Sequence, residues 1–391
     1  TCQQVHLHWN FLSLSHCQRR NDVLFAGLFA SLAVTCLVGL YYGYRLMVSN
    51  EAKFSFGRSA GGEPLVESDE GGLGAPVHVV LVTSNAGLGG AVAAMVSTVR
   101  HSRRPTSSLR FHVVTDNATQ FHLHAWMHQA QLARFQYEVL TFPQTPLIAP
   151  ELATILQLPY AKLYLGRLLP ALRGPVIVLD DDVIVQGDIS ELASLPIPDG
   201  SIGLFSKDCD SVSRRYNTAG SRYHQLLDLS RPSLRDLGLE PNECALNLGV
   251  FVVRMADWVR QNVTEMAENW IRANLREKIF KREGPLGPLL LALHNKTSPL
   301  DPQWHVRNLG VTPGSQYSRL FVTSAKLLQW SGRFKPWNAR SPYSDIWHRY
   351  FVPDPTGRFR PASRGGAASP ASGQRSQRST SARPDRRLNL V

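Results

Sequence analysis

Three consecutive aspartates close an apolar run, Val176-Ile177-Val178-Leu179-Asp180-Asp181-Asp182-Val183. The run reads as a buried strand, and alternate residues of a strand point to one side. Asp180 and Asp182 therefore converge. Two hard carboxylate donors at a strand's carboxyl end suit a divalent cation, Mn²⁺ or Mg²⁺, which would neutralise a diphosphate. The competing reading is an acidic turn that caps a strand and binds nothing. The apolar segment before the acids and VIVQGDI after them favour a structured site over a solvated acidic run.

The elements around this segment alternate. Val77 to Thr83 (VHVVLVT) is a short β-branched run, and Gly89 to His101 carries the small and apolar residues of a helix packed closely on a sheet. Leu109 to Thr115 supplies a second strand, Phe121 to Ala133 a helix and Phe135 to Phe142 a third strand. A helix is expected from Tyr160 to Leu169, stopped by Pro170, before the strand that runs into the acids. This βαβαβ order predicts an α/β fold, a mostly parallel sheet covered on both faces with ligands at the carboxyl ends of its strands. Farther on, Met255, Trp258, Val259, Val263, Met266, Trp270 and Ile271 recur at helical spacing and read as one packed amphipathic stripe. No period of a repeat architecture recurs.

With these segments in order, the chain resembles glycosyltransferase family 8, and its last motifs resemble the glycosyltransferase 8 domain-containing proteins. The motifs are VVLVTSNAGLGGAV, YAKLYLGRLLP, LDDDVIVQGDI, CALNLGVFVVRM, LDPQWHVRNLG, KLLQWSGRFKPW and VPDPTGRF, spread over Val77 to Phe359. The resemblance implies a GT-A type nucleotide-diphospho-sugar transferase fold with a Rossmann-like mixed sheet, a UDP-sugar donor, manganese, and transfer with retention at the anomeric carbon. It implies Asp180 and Asp182 as metal ligands, joined by the residue at Gln329, and Asn247 beside the donor sugar. Thr83, Ser84, Lys162, Asp181, Gly332 and Lys335 fall where the donor is bound, and the Lys335 ammonium would offset charge on departing UDP. Each has a plainer reading: a solvated helix lysine, an asparagine capping a turn, a loop charge beside proline.

Five positions depart from the family's pattern. Gln329 stands where a metal-binding His is usual, and an amide oxygen is a weaker manganese donor than imidazole. Asn85 stands where an acid is usual, Pro285 and Leu286 where an Asp-Gln pair falls near the reacting sugar, and His305 where Asn follows the tryptophan. Neither Pro285 nor Leu286 can serve as base or nucleophile. Two classes of function stay open: an active retaining hexosyl- or pentosyltransferase acting on an unknown acceptor, and an impaired or inactive lumenal binding protein that keeps the fold.

The 391 residues, 43% apolar, suffice for one large domain with flanking segments. The expected division is a short cytoplasmic tail over 1–22, a transmembrane signal anchor over 23–44, a flexible stem over 45–75, the catalytic-type domain over 76–360 and a disordered basic tail over 361–391. From Val23 to Tyr44 no charge interrupts the apolar run, which matches the about 20 residues a spanning helix needs. A cleaved signal peptide is the rival reading, and the length of the run with its tyrosine-rich end argues against it. The net charge of +12 raises a nucleic-acid partner, but eight arginines against one acid lie from Arg358 onward, so the excess belongs largely to the tail. Neither anchor nor sequons fit a nucleic-acid binder.

Asn117, Asn262 and Asn295 head N-x-Thr sequons, acceptors only where that region is lumenal. Cys209 and Cys244 read either as a disulfide or as two buried thiols. A type II Golgi membrane protein with a lumenal domain is the expected location, and a homodimer stays open.

Overall fold

The computed structural model describes residues 75–132, 134–143, 147–209, 221–314 and 317–362. The chain divides into two units, Thr1–Ser68 and Asp69–Val391, and every described residue belongs to the second. The expected anchor, the stem and the basic tail from 363 onward lie outside the described residues. Among the described residues no helix is long and apolar enough to cross a membrane.

The β-branched runs form strands where the sequence places them. These are β1 (Val77–Val82), β2 (Leu109–Thr115), β3 (Tyr137–Thr141) and β4 (Pro175–Asp180). Then come β5 (Val183–Val185), β6 (Gly203–Lys207), β7 (Leu246–Arg254), β8 (Thr297–Pro299) and β9 (Leu327–Gln329). Among the described residues a seven-stranded sheet has the order β3-β2-β1-β4-β7-β6-β8, and β5 pairs with β9 in a separate two-stranded sheet. The half from β3 to β4 is parallel, while β7 runs antiparallel to both neighbours, β4 and β6.

Successive residues of each central strand enter opposite cores. Val79, Leu81, Ile177, Leu179, Val250 and Val252 pack on one face with α1 (Leu88–His101) and α2 (Asn117–Gln129). Val80, Val82, Val176, Val178, Phe251 and Val253 pack on the other with Tyr164, Trp258 and Ile271. Each such aliphatic side chain stabilises by about 1.5–3 kcal/mol when fully buried. The carboxyl end of β4 is thereby held rigidly between layers.

Three elements differ from expectation. The segment from Tyr160 to Leu169 is a 3₁₀ stretch, Leu158–Tyr164, followed by one α turn, Leu165–Leu168. Ala161 through Leu165 are all buried in this stretch. The stripe from Met255 to Ile271 is two helices, α3 (Met255–Arg260) and α4 (Val263–Glu277), broken at Asn262 with φ 52°. Val259, expected inside, is 46% exposed. The helix expected from Phe121 begins at Asn117, since Asp116 accepts a 2.8 Å bond from Thr119 N and caps the first turn.

Candidate active site

The acids sit where β4 ends. Val82 of β1 lies beside Asp180, so the last residues of the two parallel strands are neighbours. Lys162, buried in the 3₁₀ stretch, pairs with Asp180 Oδ1 and donates to Leu248 O at 2.6 Å. Asp181 turns the other way. Its Oδ2 accepts a 2.8 Å bond from Thr83 Oγ1, and a Cβ on Gly87 would fall 1.8 Å from the same oxygen. Burial, then the neighbouring Asp182 and Asp180, push the Asp181 carboxyl up to about 7. Ser84 is exposed beyond the strand end.

Asp182 lies in the turn just before β5 of the second sheet. Val183 pairs with Gln329 across β5 and β9, and Trp330 N donates to Asp182 O at 2.9 Å. That register sets Gln329 against both acids. Its Nε2 lies 3.1 Å from Asp180 Oδ2 and 3.1 Å from Asp182 Oδ1. Lys335 reaches in from the following loop, with Nζ 2.5 Å from Asp182 Oδ2 and 2.9 Å from Trp330 O. Burial and Asp180 push the Asp182 carboxyl up, while Lys335 and the Gln329 amide pull it back. The loop carrying Lys335 folds onto residues 309–311: Gly332 N donates to Leu309 O at 3.1 Å, and a Cβ on Gly332 would fall 2.2 Å from Gly310 backbone. Only glycine permits that approach.

The fourth side comes from β6 and β7. Asn247 Nδ2 donates to Asp208 Oδ1 at 3.0 Å, and its Oδ1 accepts from Gly249 N at 2.9 Å. Cys209 and Cys244 form a disulfide that ties the ends of these strands together beside Asp208 and Asn247. Asp208 was missed in the sequence. Its signal is the one that found Asp180, an acid at the end of an apolar strand, here Gly203–Lys207.

Two of the five departing residues meet. His305 Nε2 lies 2.8 Å from Gln329 Oε1, and its Nδ1 lies 2.9 Å from Ser206 Oγ. Burial, then the charge of Arg307, lowers the His305 pKa to about 3 and keeps the imidazole neutral. Asn85 is elsewhere engaged, its Oδ1 2.5 Å from His122 Nδ1, while Asp354 holds the other ring nitrogen at 2.8 Å. Pro285 and Leu286 begin the helix Leu286–Ala292 and bring no acid or amide.

The cation expected between Asp180 and Asp182 does not fit this donor set as it stands. Carboxylate oxygens only accept, and Gln329 turns its NH₂ toward them in place of the oxygen a metal would need. Among the described residues no group of three or more His, Cys, Asp or Glu is arranged to hold a metal ion. In this orientation Gln329 meets the acid pair as a donor through its NH₂.

Known proteins resemble most of the chain. The family described as glycosyl transferase family 8 matches residues 45–341. The chain belongs to glycosyl transferase family 8. Mouse glycosyltransferase 8 domain-containing protein 1 is 36% identical over 368 residues, covering 90% of this chain and 91% of the mouse protein. The human protein of that name is 37% identical over 297 residues, covering 72% and 79%. Mouse glycosyltransferase 8 domain-containing protein 2 is 35% identical over 298 residues, covering 73% and 84%.

Solved structures agree on the fold. The apo WbbM bifunctional glycosyltransferase superposes with TM-score 0.52 at 16% identity, covering 72% of this chain and 50% of that one. An active-site mutant of LgtC gives 0.50 at 15%, covering 72% and all of its own chain. The family 8 chain thus has the GT-A-like α/β fold expected of it. Its sequons at Asn117, Asn262 and Asn295 all carry exposed asparagines.

Proposed function

We propose that this chain transfers a sugar from a UDP-sugar donor to an acceptor, with retention, as a membrane-anchored type II enzyme facing the Golgi lumen. The observation that carries the proposal is the convergence of Asp180, Asp182, Lys162, Lys335 and Asn247 at the carboxyl ends of β1 and β4 and the start of β7, in a chain of family 8. In this reading Lys335 meets the diphosphate and offsets the charge that develops on departing UDP. Thr83 and Asp181 stand at the nucleoside end, and Asn247, braced by Asp208, stands beside the donor sugar. With proline and leucine at 285 and 286, no side chain there can attack the anomeric carbon. The acceptor hydroxyl then attacks from the face the UDP leaves, its proton passing to a phosphate oxygen. The run from Val23 to Tyr44 would supply the anchor.

UDP release from a panel of UDP-sugars tests this, wild type against Lys335→Ala. Release that falls at least about tenfold in the variant supports it. The Pro285 and Leu286 positions favour a second reading, a lumenal protein that binds UDP-sugars without turning them over. Nucleotide binding with no release from any donor, in the presence of a lysate of acceptors, would select that reading instead.

A further inference from the structure

Every oxygen of the acid pair already faces a donor. Asp180 Oδ1 has Lys162 and its Oδ2 has the Gln329 amide at 3.1 Å; Asp182 Oδ1 has the same amide at 3.1 Å and its Oδ2 has Lys335 at 2.5 Å. Two carboxylates are thus matched by two ammoniums and one NH₂, with formal charge balanced. Lys335 is the ammonium open to a ligand, its side chain 33% exposed against 8% for Lys162.

The amide's orientation is fixed from behind. Gln329, His305 and Ser206 are 3%, 1% and 6% exposed, so their polar atoms must satisfy one another. The Ser206 hydroxyl can donate to His305 Nδ1 and the Nε2 hydrogen to Gln329 Oε1, which leaves the NH₂ for the acids. For Gln329 to ligate a cation its oxygen must turn to the acids and its NH₂ to His305 Nε2. The imidazole would then have to move its proton to Nδ1, and both carboxylate bonds would be lost. A Cβ on Gly249 would fall 2.2 Å from Gln329 Nε2, so the amide lies directly on the β7 backbone.

We infer that the Ser206–His305–Gln329 relay frees the nucleotide site from a divalent cation: the amide and the two ammoniums occupy the acid pair, and Lys335 meets a nucleoside diphosphate directly. The inference rests on the UDP-sugar reading above. His305 acts as a positioning residue, one step behind Gln329. Both differ from the residues usual in the family, and they touch each other, so the imidazole has in effect moved from the acids to the layer behind them.

The test is calorimetric titration of UDP into the purified full chain, once with Mn²⁺ and once with EDTA, for wild type, Gln329→His and His305→Ala. Thermal melts confirm that each variant is folded. Wild type is expected to bind UDP with the same affinity, within about twofold, in both buffers. Gln329→His is expected to gain about tenfold or more from Mn²⁺, and His305→Ala, which releases the amide oxygen, to gain a smaller metal response. Wild-type binding that strengthens tenfold with Mn²⁺ overturns the inference and leaves the donor site standing. Variants as indifferent to Mn²⁺ as wild type overturn the role given to the relay. No UDP binding by wild type in either buffer overturns this inference and the donor site together.

Discussion

Lys335 and Gly249 make the two sharpest claims at the scale of single residues. A charge-assisted contact to phosphate is worth about 1.5–3 kcal/mol, so Lys335→Ala should weaken UDP about tenfold or more by calorimetry. An unchanged affinity would remove Lys335 from the donor site. Gly249→Ala should drive Gln329 off both acids and cost about 1–3 kcal/mol in denaturant unfolding, as overpacking does. Asp180, Asp182 and Lys335 were legible because their meaning lies in short local strings. The contact between His305 and Gln329 was not. They are 24 residues apart, and they meet only because Val306 and Leu328 form a bridge and Gln329 N donates to Val306 O at 2.8 Å.

Among the elements, strands were readable and helix limits less so. A buried strand announces itself by composition, but whether a central strand runs parallel or antiparallel leaves no mark on its residues. The reversal at β7 was therefore invisible, although it is what aims Asn247 and Gly249 back at the acids. Asp116 starts α2 four residues before its apolar positions begin to recur, and Asp116→Ala should cost about 1 kcal/mol in thermal or denaturant unfolding. The disulfide closes a segment with sequence separation 35 at the strand ends. Cys209→Ser with Cys244→Ser should cost about 2–4 kcal/mol and, by loosening Asp208 against Asn247, weaken UDP binding as well. Loss of stability with UDP affinity intact would separate the disulfide from the site.

For the molecule as a whole, a histidine pair across the sheet couples stability to pH. His78 Nδ1 lies 2.9 Å from His112 Nε2, and His112 Nδ1 lies 2.5 Å from Glu138 on β3. Burial, and then His112, lower the His78 pKa to about 4 from 6.5. Between those values the unfolded chain binds a proton that the folded chain does not. Stability from this group is therefore whole above pH 6.5 and drains away as pH falls toward 4. Partial exposure limits the loss to roughly 1–2 kcal/mol. Thermal melts at pH 7.5 and 5 should show it, and His78→Phe should flatten the slope. The α/β architecture, with a core on each face of the sheet, was foreseen from alternating strand and helix patterns, while the anchor and tails stand on composition alone. The account as a whole depends on nucleotide binding at the acids. Hydrogen–deuterium exchange of the full chain with and without UDP tests it most directly. Slower exchange confined to residues 82–87, 160–164, 178–185, 205–209, 245–250 and 328–336 is the predicted result. No change there, or protection only around the surface cleft of Tyr317, Arg319, Arg340 and Tyr343, would contradict it.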